Sequence, residues 1–211
     1  MGPITIILIL VAGGTASGKT TLASKLAREL GEENCTLLSE DWFYHDHPGM
    51  TAEQLRDLNY DHMDAIDWGL MGDQLNRLLV GETQYMPRYD FKTHRRHAPS
   101  DWVKTSPQGI IILEGIRILA HPGVRSRAKF RFFVDTDADE RVLRRIIRDT
   151  EERGRELNDV IRQWRETVKP MHFMFCEPSK RFADLIVLNG GESEAVNRFL
   201  KAGIHAALNG G

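Results

Sequence analysis

Short apolar runs alternate with amphipathic stretches along the whole chain. The runs predict strands at Ile4–Ala12, Cys35–Ser39, Gly109–Leu113, Phe130–Val134 and Leu185–Leu188. Ile110-Ile111-Ile112-Leu113 is apolar at every position, as a central strand covered on both faces requires. Apolar positions at helical spacing predict helices at Lys19–Leu30, Ala65–Val80, Ala138–Arg148, Glu156–Phe175 and Ser193–Leu208. In the first, Leu22, Leu26 and Leu30 share a face, and Gly31 stands where a C-cap belongs. In the fourth, Leu157, Ile161, Trp164 and Val168 keep the period. Pro170, lacking an N–H, should kink that helix or end it. Strand–helix alternation predicts an α/β domain with a mostly parallel central sheet of about five strands, covered on both faces. The stretch at about 84–104, with Tyr85, Tyr89, Phe91 and scattered prolines, predicts a small β insertion beside that sheet. No repeat or linker divides residues 1–211, so a single domain is expected.

The first strand–helix junction carries the most specific chemistry. Gly13-Gly14-Thr15-Ala16-Ser17-Gly18-Lys19-Thr20 fits G-x-x-x-x-G-K-[ST], the phosphate-binding P-loop. Gly13 and Gly18 let the backbone turn closely around phosphates, whose oxygens need converging N–H donors. The helix behind adds its free N-terminal N–H groups, including those near Thr21, and the positive end of its dipole. Lys19 supplies a point charge for the β- and γ-phosphates, and Thr20 a hydroxyl for Mg²⁺. The expected fold is therefore the three-layer P-loop NTPase fold, and the expected ligand a nucleoside triphosphate.

Charge narrows the partners. Lys+Arg is 28 against Asp+Glu 30, a net charge of −2, which gives no reason to expect nucleic acid or an anionic membrane. Cys35 and Cys176 show no metal-ligand spacing and suit a reducing compartment, so a cytoplasmic location is expected. Ile4–Ala12 is too short to span a bilayer and has no basic residues before it.

Other residues fall where a parallel α/β sheet binds ligands, beyond the carboxyl ends of its strands. Asp41 follows the second strand and could accept a hydroxyl proton during phosphoryl transfer, or simply form a turn. Glu114 follows the buried apolar run, where P-loop enzymes place an acid for Mg²⁺. In Asn59-Tyr60-Asp61-His62-Met63-Asp64-Ala65-Ile66-Asp67, Asp64 and Asp67 suit helix capping, whereas Asp61 is freer to bind a vicinal diol. Pro87–Arg96 mixes aromatic and basic residues, fit either for a heterocycle or for a solvated hairpin. From Arg141 to Arg165 there are eight arginines. They could collect phosphate charge or form a solvated face paired with Glu151, Glu152 and Glu156. Arg145 and Arg148 share a helix face, and Gly154 sits where a lid loop at about 141–165 would hinge.

Taken in order, these stretches resemble the uridine kinase (uridine–cytidine kinase) family. The similarity runs through GGTASGKTT, EDWFY, NYDHMDAID, PRYDFKTHRR, ILEGI, FVDTDADERVLRRIIRDTEERGRE, VKPMH and EPSKRFAD, covering nearly the whole chain. The resemblance implies ATP- or GTP-dependent phosphorylation of the 5′-hydroxyl of uridine and cytidine. By matching position it implies Asp41 as general base, and Lys19, Thr20 and Glu114 around the phosphates and Mg²⁺. Asp61 would hold the ribose hydroxyls, Tyr89 and His94 the pyrimidine, and Arg145, Arg155 and Gln163 would reach the nucleoside. Arg148 and Arg153 would serve the transferring phosphates. A homotetramer inhibited by CTP or UTP is the family expectation. One position departs: the family motif usually reads DHPDA, whereas Met63 stands here for the proline, so this loop loses proline's restriction. A phosphoribulokinase-like or pantothenate kinase-like acceptor fits less well, because of the Tyr–His loop and the RGRE stretch. A nucleic-acid-handling ATPase has only the arginine-rich helices in its favour.

Overall fold

The computed structural model describes residues 6–188 and 193–209. In chain order it begins β1 (Ile7–Gly13), α1 (Lys19–Leu30), β2 (Cys35–Ser39), α2 (Ala52–Arg56) and α3 (Trp68–Leu79). The insertion follows as β3 (Gln84–Met86), β4 (Tyr89–Asp90), β5 (Arg95–Arg96) and β6 (Val103–Thr105). Then come β7 (Ile110–Gly115), α4 (Pro122–Arg125), β8 (Phe130–Asp135), α5 (Ala138–Glu151) and α6 (Leu157–Gln163). The chain closes with α7 (Lys169–Met171), α8 (Glu177–Ser179), β9 (Leu185–Leu188) and α9 (Glu194–Asn209).

Five parallel strands form the central sheet in the order β2-β7-β1-β8-β9. The uninterrupted apolar character of β1 has a direct cause, because successive side chains enter different layers. Leu8, Leu10 and Ala12 pack with Leu113 and with Met71, Leu75 and Leu78 of α3. Ile9 and Val11 pack with Leu22, Leu26 and Leu30 of α1 and with Leu200 and Ile204 of α9. Each fully buried leucine among them contributes roughly 1.5–3 kcal/mol. Since β7 and β8 lie on opposite sides of β1, the chain order reverses there. The crevice beyond β1 is thus the topological switch point of the sheet, and the P-loop occupies it.

The expected strands are all present, with shifted ends. Residues 4 and 5 of the first expected strand lie outside the described residues. Glu114 lies inside β7, which runs on to Gly115, instead of following it. The helix expected from Ala65 starts at Trp68, because Asp67 caps it by accepting the Leu70 N–H (3.0 Å) and Met63–Ala65 form a 3-10 turn. The arginine helix extends past Arg148 to Glu151.

Pro170 neither ends nor sharply breaks the helical run that starts at Leu157. The backbone widens into π-helix at Trp164–Val168 and again at His172–Cys176. Each π stretch contains the residue four before a proline, Glu166 for Pro170 and Met174 for Pro178. The wider turn accommodates the missing N–H and the ring that would strike that carbonyl. The insertion forms two small antiparallel ribbons, β3–β6 and β4–β5, the first ending at Thr105. It is tied to the body by Gln74 Nε2 donating to the Tyr85 carbonyl (2.9 Å) and by Arg96 paired with Asp67 (3.2 Å).

Candidate active site

The P-loop geometry follows from its residue types. Gly13 (φ 156°) has no room for a side chain, since a Cβ would lie 2.6 Å from both Ser17 Oγ and the Val134 carbonyl. Gly18 takes φ 91° as the N-cap of α1, and Ala16 is also left-handed at φ 58°. The loop closes through Ser17 N–H to the Gly14 carbonyl (3.1 Å), while Thr136 Oγ1 donates to the Ser17 carbonyl (2.9 Å). Gly14, Thr15 and Lys19 are buried, and Thr20 and Thr21 are exposed on the first turn of α1.

Glu114 stands beside this loop because β7 pairs with both β1 and β2, aligning it with Val11 and Ser39. It accepts a hydrogen bond from Ser39 Oγ (2.7 Å) and lies 4.0 Å from Lys19 Nζ. Burial pushes its carboxyl above the ordinary range, against the opposing pull of Lys19. The same Ser39 oxygen accepts the Asp41 N–H (3.3 Å), starting a 3-10 turn at Glu40–Phe43 that presents Asp41. That turn is stitched to the second acidic segment by Asp67 N–H to the Phe43 carbonyl (2.8 Å) and His45 N–H to the Ala65 carbonyl (3.0 Å). Asp61 follows an Asx turn in which Asn59 Oδ1 accepts its N–H (3.1 Å). Neither the Asp41 nor the Asp61 carboxylate accepts a hydrogen bond from the described residues. Both line one cavity with Thr15 and Lys19.

Aromatic groups form the far wall. Tyr89 is buried and packs on Tyr44 (ring centroids 5.0 Å apart) and on Phe91 (5.5 Å). His94 ends the β4–β5 turn at φ 55°. Asp90 shapes that turn, accepting the Lys92 N–H (2.8 Å) and the Thr93 hydroxyl (2.8 Å), which draws its own carboxyl below the ordinary value. The result turns His94 inward, 9 % exposed and stacked on Tyr60 (5.2 Å, 29°). Burial, then Arg155 and Arg56, lower its pKa from 6.5 to about 4, so the imidazole is neutral at ordinary pH.

The arginines converge on one buried acid. Asp149 is fully enclosed and touches Arg148 (2.8 Å), Arg145 (3.4 Å), Arg153 (3.5 Å) and Arg155 (3.7 Å). Burial alone would raise its pKa, but Arg145, Arg148 and Arg153 hold it below the ordinary carboxylate value. Gln163 Oε1 accepts from Arg155 (2.8 Å) and Arg145 (3.3 Å), and Arg145 also reaches Thr15 Oγ1 (3.1 Å). Arg153 lies over the Phe91 ring at 4.0 Å. Gly154 has φ 64° between α5 and α6, where a hinge was expected. All four arginines and Gln163 line the cavity that holds Asp41 and Asp61, so these residues face a site and not bulk water.

Sequence reasoning missed Asp149, Glu40 and Arg117. The signals were present: an acid four residues from both Arg145 and Arg153, and a lone arginine inside the apolar stretch Ile116–Ala120.

Sheet order, P-loop and a cavity that sets Asp41 and Asp61 among Lys19 and four arginines together define a P-loop kinase, a phosphate-transferring enzyme. Residues 8–195 match the model of the Phosphoribulokinase / Uridine kinase family, and the chain belongs to that family. It is 42% identical over 204 residues to a uridine kinase of Lactobacillus helveticus (strain DPC 4571), covering 96% of each chain. It is 45% identical to a uridine kinase of Ligilactobacillus salivarius (strain UCC118), over 89% of this chain and 87% of that one. In fold it is similar to phosphoribulokinase from Rhodobacter spheroides, with TM-score 0.60, 11% identity, and 92% and 76% of the two chains covered. Among the described residues, no helix is long and apolar enough to cross a membrane.

Proposed function

We propose that this chain transfers the γ-phosphate of ATP or GTP to the 5′-hydroxyl of uridine and cytidine, giving UMP and CMP. One observation carries the reading. A single cavity sets the P-loop lysine against two carboxylates that accept no hydrogen bond from the described residues and a wall of aromatic rings. Asp41 accepts the 5′-hydroxyl proton as that oxygen attacks the γ-phosphorus, and the bond from phosphorus to the β-phosphate oxygen breaks to release the diphosphate. Lys19, Arg148 and Arg153 stabilise charge spread over the transferring phosphoryl oxygens. The exposed Thr20 hydroxyl and the buried Glu114 carboxylate are hard oxygen donors that fit Mg²⁺. When bound, that ion would neutralise charge on the β- and γ-phosphates. Asp61 takes the ribose diol, with Arg145, Arg155 and Gln163 around the nucleoside. A sugar phosphate would have no use for the aromatic cluster of Tyr60, Tyr89, Phe91 and His94, which favours a base over a phosphoribulokinase-like acceptor.

Two substitutions separate the half-sites. Lys19→Ala is expected to impair ATP use whichever nucleoside is offered, because the lysine serves phosphates only. Asp61→Ala should instead raise the KM for uridine and cytidine equally, since both carry the same diol. Steady-state kinetics with each substrate varied provide the check. Unchanged nucleoside KM in Asp61→Ala would return Asp61 to a turn residue.

Base recognition rests on the neutral imidazole of His94, whose one donor and one acceptor nitrogen serve the 4-amino group of cytosine or the 4-carbonyl of uracil. With its pKa near 4, the nucleoside KM should stay flat from pH 8 to pH 5, with no break near 6.5. His94→Ala should cost about 1–3 kcal/mol in kcat/KM for both pyrimidines. A break near pH 6.5 that disappears in His94→Ala would refute the neutral-imidazole account.

A further inference from the structure

Arg117 is the largest fully buried side chain of the described residues, and it lies outside the cavity lining. Its guanidinium and the Glu40 carboxylate are both fully enclosed and meet at 2.7 Å. Nε donates to Glu40 Oε1 (2.7 Å), and the backbone N–H of Arg117 donates to Oε2 (2.8 Å). Nη1 donates to two carbonyls, Tyr60 (2.6 Å) and His62 (2.7 Å), while Nη2 reaches the Tyr44 hydroxyl (3.3 Å). Glu40 keeps the guanidinium firmly charged at any working pH, against the opposing effect of burial. Gly115 leaves the space Glu40 needs, since a Cβ there would lie 2.5 Å from that of Glu40.

The placement of these contacts is specific. Glu40 immediately precedes Asp41. Tyr60 and His62 flank Asp61 on either side. One ion pair therefore joins the turn that carries Asp41 to the loop that carries Asp61, with Arg117 clamping the peptide carbonyls on both sides of the latter. A buried ion pair adds little net stability over well-packed apolar residues, so stability alone does not account for it. What apolar residues cannot do is hold two carbonyls at a fixed separation.

We propose that the Glu40–Arg117 pair is a positioning device that presets Asp61 for the nucleoside diol and supplies the rigidity the loop loses with Met63. It rests on the reading of Asp61 given above. The loop's other ties are mostly local: Asn59 Oδ1 accepts the Asp61 N–H (3.1 Å), the Asn59 carbonyl accepts the His62 N–H (3.3 Å), Trp68 Nε1 donates to the Met63 carbonyl (2.8 Å), and the Tyr60 ring stacks on His94 (5.2 Å). His62 is extended (φ −73°, ψ 152°), the conformation a following proline demands, and Met63 opens the 3-10 turn, where proline is tolerated. Proline at 63 and the arginine clamp are thus two routes to one loop geometry.

The test uses the full chain. Glu40→Gln with Arg117→Met removes both buried charges together at similar volume, and thermal unfolding verifies the fold. The KM for uridine should rise about 10–100-fold, the scale expected when a binding group is displaced by roughly an ångström. The KM for ATP should stay within about twofold. Adding Met63→Pro should recover most of the lost uridine affinity, which a general packing defect would not allow. Arg117→Lys, which keeps the charge opposite Glu40 but cannot span both carbonyls, should show the same uridine-selective rise and covers the case of an unstable double variant. A uridine KM near wild type in either variant, or equal rises for uridine and ATP, would overturn the proposal. Asp61→Ala, measured alongside, separates the two ideas. No effect there sinks the diol reading itself, whereas a raised KM there beside a normal double variant sinks only the positioning role.

Discussion

Asp41→Asn is expected to lower kcat by about 10²–10⁴-fold with nucleoside KM little changed, the usual worth of a positioned base. The side chain is isosteric, so the 3-10 turn at Glu40–Phe43 and its Ser39 cap should survive. What disappears is a carboxylate that accepts no hydrogen bond from the described residues and shares a cavity with Lys19. Arg153 adds a favourable electrostatic interaction with Asp41, keeping positive charge on the same wall. Single-turnover phosphate transfer, measured with uridine and ATP saturating, isolates the chemical step. Near-normal turnover would reduce Asp41 to a turn residue.

Asp149→Asn should have the largest effect on stability. Four guanidinium groups lose their shared counter-charge, and their side chains are only 8–27% exposed, so water cannot replace it. Breaking a buried ion cluster this way costs about 3–5 kcal/mol, or roughly 6–20 °C in Tm for a domain of this size. The pH dependence has a definite sign. Because the folded pKa is depressed, the contribution is fully present above the unfolded value of about 3.9. It is lost as pH falls through the folded value. The Tm gap between wild type and Asp149→Asn should therefore be flat from pH 8 to pH 5 and narrow below about pH 4. A variant that melts like wild type at neutral pH would show that the arginines do not depend on Asp149.

Much of the site was legible in one dimension because its chemistry is local. The P-loop is a continuous run whose glycines are required by its own backbone angles. The helix that follows it is periodic, and Gly31 ends it by donating its N–H to the Arg28 carbonyl. Asp64 and Asp67 were both legible as capping acids, but with the helix expected from Ala65 only the structure makes Asp67 its N-cap. The path through Pro170 was less legible. The sequence marks a break, whereas in the fold the run continues through π turns and keeps Val160, Val168 and Cys176 buried. For the arginines, spacing left a solvated face and a phosphate site equally open. Burial around Asp149 takes Arg145, Arg148, Arg153 and Arg155 out of a solvated face, while Arg162 and Arg165 stay exposed.

The division has a physical reason. Strand positions, the buried character of the sheet, the P-loop and the order of acidic and basic segments follow from residue-by-residue preferences, which need no knowledge of distant neighbours. Family membership was legible for the same reason, as an ordered series of short motifs. Long-range pairing was not. Glu40 and Arg117 are 77 residues apart, and Thr15 meets Arg145 across 130 residues. Such contacts depend on the strand order that folds β7 and β8 against opposite sides of β1, a choice that hydrophobic periodicity does not encode. The low pKa of His94 likewise arises from burial against Tyr60 and from Arg155 and Arg56, elements that only the folded chain brings together.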